Sequence, residues 1–142
     1  MNVTRRIAPL AALLMLAVPV ASAGIAETIK LTPRGGSAVS GTATVSSPGD
    51  RAAAAVSVKL RGLAPRTTVR IMLNVVVGKD TGASTTLILS ARANDRGTLA
   101  ASGRVRYRGE PVTFASIADG THAISVVTGG KLVARGVIPG MD

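Results

Sequence analysis

The chain has 142 residues, a formal charge of +10, 46% hydrophobic residues, one Phe, one Tyr, no Trp and no Cys. Without cysteine no disulfide can staple the fold, so packing alone must hold it. The shortage of aromatics argues against a base-stacking nucleic-acid surface and against a typical sugar-binding platform.

The first residues read as a secretory signal. Arg5 and Arg6 precede an apolar run from Ile7 to Val20, and Ala21-Ser22-Ala23 offers small residues at a cut. Pro9 and Pro19 interrupt the run, which is too short to span a bilayer comfortably. The expectation is a signal peptide over residues 1–23, cleaved after Ala23, and a single domain over residues 24–142 with no second membrane segment. With no cysteine at the cut, a lipid-anchored lipoprotein is not expected. Two of the seventeen basic residues leave with the signal, so fifteen face seven acids, a formal charge of +8. That balance favours anionic neighbours in a secreted, periplasmic or cell-envelope setting: wall polymers, acidic polysaccharide or anionic lipid. Solubility is the plainer use of the same charge.

Strands follow in order. Ile29 and Leu31 alternate with polar residues over residues 27–32, and Pro33 to Gly36 turns the chain. Residues 38–46 place Val39, Ala43 and Val45 on one face; residues 52–61 do the same with Ala54, Val56, Val58 and Leu60. The most apolar stretch is Thr67 to Gly78. There Val69, Ile71, Leu73, Val75 and Val77 face inward, and Thr68, Arg70, Met72, Asn74 and Val76 face outward. A run so apolar belongs in the middle of a sheet, since at an edge it would invite aggregation.

Residues 85–92 put Leu87, Leu89 and Ala91 inside, and Asn94-Asp95-Arg96-Gly97 has the residue types of a hairpin turn. Residues 98–108 place Leu99, Ala101, Val105 and Tyr107 inside, with Arg104, Arg106 and Arg108 outside. Residues 109–120 read as a loop, and residues 123–128 and 132–138 as a last hairpin across Gly129-Gly130. Eight short strands without a convincing helix predict an all-β sandwich of two sheets packed face to face.

Three stretches taken together resemble the copper/zinc superoxide dismutases and the related chordin-type (CHRD) domains. LRGLAPRTTVRIMLN is similar to their Gly-Leu-x-Pro turn and the His-x-His strand after it. DGTHAISVVT resembles the late strand ending Val-Val-His, and KLVARGVIPG the terminal strand. The resemblance runs from about Glu27 to the C-terminus and implies an eight-stranded Greek-key sandwich. The metal ligands do not carry over. Ile71 and Leu73, or in a slipped register Met72 and Asn74, stand where that family has histidines; Thr128 replaces the later ligand and Arg135 the cysteine. The resemblance therefore implies a scaffold stripped of its metals, with no metal or other cofactor.

The remaining candidates for chemistry are few. His122 is the sole histidine, and with Asp119 and Ser116 or Ser125 it has the residue types of a hydrolytic triad; Asp119-Gly120 also reads as a plain turn. Gly78-Lys79-Asp80-Thr81 lacks the earlier glycine and the following helix of a phosphate loop and reads as a hairpin turn. Arg104, Arg106 and Arg108 at alternate positions would present guanidinium groups about 7 Å apart on one face, an anion-binding stripe that Lys59, Arg61 and Arg70 extend. A solvated sheet face is the plainer reading. Met72, Val76 and Ile88 share outward parity and make a small apolar patch suited to self-association. The function expected is that of a non-enzymatic secreted or envelope module with a structural or binding role. A degenerate metal-dependent enzyme and a basic protein that binds acidic polymers are the alternatives.

Overall fold

A computed structural model of the chain describes residues 24–49, 51–77 and 80–140. The expected signal segment and the Gly78-Lys79 turn lie outside the described residues, as do the side chains of Val76 and Val77. The strands are β1 (Ile25–Pro33), β2 (Ser40–Ser47), β3 (Ala55–Arg61), β4 (Thr68–Val77), β5 (Asp80–Arg92) and β6 (Leu99–Arg104). Then come β7 (Arg106–Tyr107), β8 (Glu110–Pro111), a short helix α1 (Phe114–Ile117), β9 (His122–Thr128) and β10 (Lys131–Val137). No helix among the described residues is long and apolar enough to cross a membrane.

Eight strands form one antiparallel, nearly closed sheet in the order β5-β4-β9-β10-β1-β2-β3-β6. The chain is thus all-β, but the two expected sheets are one. They are joined because β1 changes partner along its length: Ile25 to Leu31 pair with β2, then Thr32 and Pro33 pair with Arg135 and Ala134 of β10. So brief a joint lets the two halves fold over each other. The edges β5 and β6 then meet at a seam. A Cβ added to Gly103 would lie 3.2 Å from the Ile88 carbonyl and from Leu89 Cβ, so a bare backbone is what allows the approach.

The most apolar stretch is β4, and it lies inside the sheet, between β5 and β9. Val69, Ile71 and Leu73 are buried as their parity predicts, in one core with Val56, Val58 and Leu60 of β3 and Ile124 and Val126 of β9. Each fully buried aliphatic contributes roughly 1.5–3 kcal/mol. With hardly any aromatics, this core is made of many small burials; the lone Phe114 is fully buried on α1.

Four local expectations need correction. The strand over residues 98–108 does not run through: β6 ends at Arg104. Val105 turns inward, its N–H donating to the Ala54 carbonyl at 2.9 Å and its own carbonyl accepting from Val112 N–H at 3.0 Å. Tyr107, expected inside, is 47% exposed on the β7–β8 hairpin. The expected 109–120 loop holds β8 and α1, whose Phe114 and Ile117 cap the core. Leu87, expected inside, is 44% exposed. A register shift in the β4–β5 ladder sets Ile71 opposite Leu89 but Met72 opposite Leu87, leaving Ile88 as the extra residue. One inserted residue reverses the parity beyond it, so Leu87 points out while Ile88 packs on the core.

Candidate anion-binding face

The register of β1, β2, β3 and β6 defines a face row by row. Lys30, Thr42, Lys59 and Ala100 lie opposite one another. The next row is Thr28, Thr44, Ser57 and Ser102, and the one beyond it Ala26, Ser46, Ala55 and Arg104. At the other end Ser40 lies opposite Arg61. The alternate residues Ile29, Leu31, Ala43, Val45, Val56, Val58 and Leu60 are all buried, so these rows form the outer surface.

Long cationic side chains therefore stand above a bed of hydroxyls and methyls. Lys30 and Lys59 are two strand spacings apart, about 10 Å, with the Thr42 hydroxyl between them. Arg61 is one outward position further along β3, about 7 Å from Lys59. No carboxylate and no aromatic ring belongs to these rows. The close contacts of acidic with basic side chains among the described residues are Arg66–Asp95 and Asp119–His122, so Lys30, Lys59, Arg61 and Arg104 have no acidic partner there. Arg104 also lines a shallow cavity of about 660 Å³ at the end of this face, walled by small residues from Ala52 to Ala55.

The structure keeps part of the predicted basic set together and disperses the rest. Lys59, Arg61 and Arg104 share the face, and Lys30 joins them. Arg106 and Arg108 leave it with the β7–β8 hairpin. Arg106 Nη1 donates to the Gly109 carbonyl at 3.3 Å, and the Arg108 guanidinium lies 5.2 Å from the centre of the Tyr107 ring. Arg108 is not on a strand at all: its φ of 53° puts it in the left-handed region of a turn. Arg70 lies on the outer face of the other half, beside β9. The expected Met72–Val76–Ile88 patch loses Ile88 to the core, and exposed Leu87 takes its place beside Met72. The sequence offered one signal for Lys30, its outward parity in β1; nothing local told which strands would flank it.

The residues named for a triad are separated as well. Asp119 Oδ1 lies 3.0 Å from His122 Nδ1 and accepts from the Thr121 N–H at 2.9 Å and hydroxyl at 2.7 Å. Burial alone would raise this carboxyl. The Thr121 donors and the His122 imidazole outweigh it and hold the pKa at about 2. His122 lines a cavity of about 260 Å³ with Leu73, Val75, Tyr107 and Ser116. The Ser116 hydroxyl donates to the Thr113 carbonyl at 2.9 Å, and Ser125 lies across the sheet with its hydroxyl donating to Asn74 Oδ1. Neither serine directs its proton at the imidazole. No group of three or more His, Cys, Asp or Glu side chains gathers as a metal site among the described residues.

Of the positions compared with metal ligands, Ile71 and Leu73 are buried in the core, whereas Met72 and Asn74 face outward beside β9. Compared with known proteins, the chain matches no family model, no curated protein and no solved structure.

Proposed function

We propose that this is an exported, non-enzymatic binding module whose outer β1-β2-β3-β6 face holds acidic polymers of the cell envelope or its surroundings. The observation that carries the reading is the composition of that face: Lys30, Lys59, Arg61 and Arg104 over Ser, Thr and Ala, without one carboxylate in the rows. A merely solvated sheet face would mix both signs to avoid self-repulsion. A one-sign field over short hydroxyl side chains instead suits sulfate, phosphate or carboxylate groups repeating along a chain, since the cations supply charge and the hydroxyls supply donors. The lack of aromatic rings favours recognition of the polymer's charges over stacking on its sugars or bases. The scaffold is read as a superoxide-dismutase-like Greek-key sandwich without metals. In support, two of the three resembling stretches fall on β9 and β10, the third ends in β4, and β4, β9 and β10 are neighbours.

The test is binding of a sulfated polysaccharide and of polyphosphate across a salt series. Affinity should fall steeply and linearly on a log–log plot, as release of condensed counterions requires. The K30S/K59S/R61S variant should bind at least tenfold more weakly and with a shallower salt slope, while its unfolding midpoint stays put because all three side chains are exposed. Unchanged affinity in that variant would leave the face a solvated surface only.

A further inference from the structure

The outer surface of the other half carries a different kind of site. Arg135 of β10, Ser125 of β9, Met72 of β4 and Leu87 of β5 form one cross-strand row; Leu132, Val127, Arg70 and Ser90 form the next. A cavity of about 310 Å³ opens over these rows, lined by Arg70, Met72, Asn74, Ser125, Leu132 and Arg135 among others. Its polar floor is internally engaged: the Ser125 hydroxyl donates to Asn74 Oδ1, and Asn74 Nδ2 donates to Thr85 Oγ1 at 3.1 Å. The two guanidinium groups are not matched in this way. Arg135 Nε is buried without a hydrogen-bond partner among the described residues, and no acidic side chain lines the cavity.

We infer that this cavity binds a small amphiphile, an oxyanion headgroup on a short aliphatic chain. A buried guanidinium N–H without an acceptor is costly, and two arginines on one cavity repel each other. A carboxylate or phosphate between Arg70 and Arg135 removes both penalties, and its two oxygens match the forked donors of either guanidinium. Met72, Val127 and Leu132 give the chain apolar surface beside the head. With the Ser125 hydroxyl committed to Asn74, the cavity reads charge ahead of neutral hydroxyls, which sets it against sugars. Its volume is at the small end of ligand pockets, which limits the chain. The site shares no residue with the polyanion face and stands or falls separately from it.

Octanoate is the probe, titrated into the purified chain and followed by amide chemical shifts. Saturable shifts are expected on β4, β9 and β10, with octanol and butanoate each at least tenfold weaker, one lacking the charge and the other most of the chain. Arg70→Gln, at an exposed position, should weaken octanoate at least fivefold; Arg135→Gln should do the same, its fold checked by the amide spectrum. The K30S/K59S/R61S variant should bind octanoate like the parent. Phosphatidylglycerol and phosphatidylcholine vesicles form the second arm. Sedimentation with the anionic vesicles alone, lost in Arg70→Gln while octanoate is silent, would assign the same headgroup-and-chain chemistry to membrane lipid. Binding in neither arm, or octanoate affinity unchanged in Arg70→Gln, overturns the inference.

Discussion

Asp119 and His122 form a 3.0 Å carboxylate–imidazole contact at the entrance to β9, just after α1. Because the ionised carboxylate only accepts hydrogen bonds, it draws a proton to Nδ1 and orients the ring. The contact ties the last turn before β9 to the strand, whose first carbonyl, that of His122, accepts from Ile138 N–H at 2.9 Å.

The lowered pKa of Asp119, from 3.8 to about 2, makes this tie dependent on pH. A carboxyl with a depressed folded-state pKa contributes stability that is fully present above its unfolded value and is lost as pH falls through the folded one. The window is therefore from about pH 4 down to about pH 2. The Asp119 side chain is 44% exposed, so solvent screening holds the contribution to about 1 kcal/mol. Asp119→Asn should cost about that much in urea unfolding at pH 6, and most of the difference from the parent should be gone by about pH 2. An equal deficit at both pH values would mean that the carboxylate charge is not what stabilises the turn.

Gly136 of β10 is a packing requirement. A Cβ there would come within 2.5 Å of the Lys30 carbonyl and 2.7 Å of Ile29 Cγ2. Gly136→Ala should therefore destabilise by about 1–3 kcal/mol, through displacement of β1 from β10. Because β1 joins the two halves through so few pairs, the loss should also slow folding if the joint forms early. An unchanged unfolding midpoint would show that β1 can shift without cost.

The displaced parity in β5 gives a paired test. Leu87→Ser should change stability by less than about 0.5 kcal/mol, since the side chain is exposed. Ile88→Ala should cost about 1–2 kcal/mol, because half-buried Ile88 packs on the core at the seam. Strict alternation from Leu89 would give the reverse order, so the pair distinguishes a bulged strand from a regular one by chemical denaturation alone.

Arg66 has a φ of 59°, a left-handed conformation that costs a residue with a Cβ about 1 kcal/mol. Its ion pair with Asp95 spans 2.9 Å, but the two side chains are 72% and 80% exposed. Exposed pairs contribute little, so relief of backbone strain should win. Arg66→Gly is expected to raise the melting temperature slightly; a fall would show that the pair organises the Asn94 to Gly97 turn.

Those features of the fold written in local alternation were legible from the residues. Val69, Ile71 and Leu73 name their own inward face, and Asn94 folds its side chain back onto the Arg96 and Thr98 N–H groups as a turn asparagine does. What alternation cannot reveal is an inserted residue, which misplaced Leu87, or a break, which carried Arg106 and Arg108 away from Arg104. A four-residue helix such as α1 is too short to show a period. Both candidate sites depend on which strands become neighbours. Lys30 meets Lys59 through β2, and Arg70 meets Arg135 through β9, pairings fixed by contacts far apart in sequence.

The seam between β5 and β6 has a mechanical consequence. Two connections cross it at one end, from β3 to β4 and from β5 to β6. They are bonded to each other: Leu63 N–H donates to Gly97 O at 3.0 Å and Arg66 N–H to Asn94 O at 3.2 Å. That end is tied across the seam. At the other, where β6 finishes at Arg104, no ladder among the described residues joins the two edges, and packing, closest at Gly103, holds them together. A brief opening would swing the free ends apart like the jaws of a clip while the rest of the sheet stays paired, because such an opening breaks packing and no strand ladder. Because β6 keeps its ladder to β3, its amides should stay protected, and the opening should show instead as exchange broadening of the Ile88 and Leu89 methyl signals at the seam.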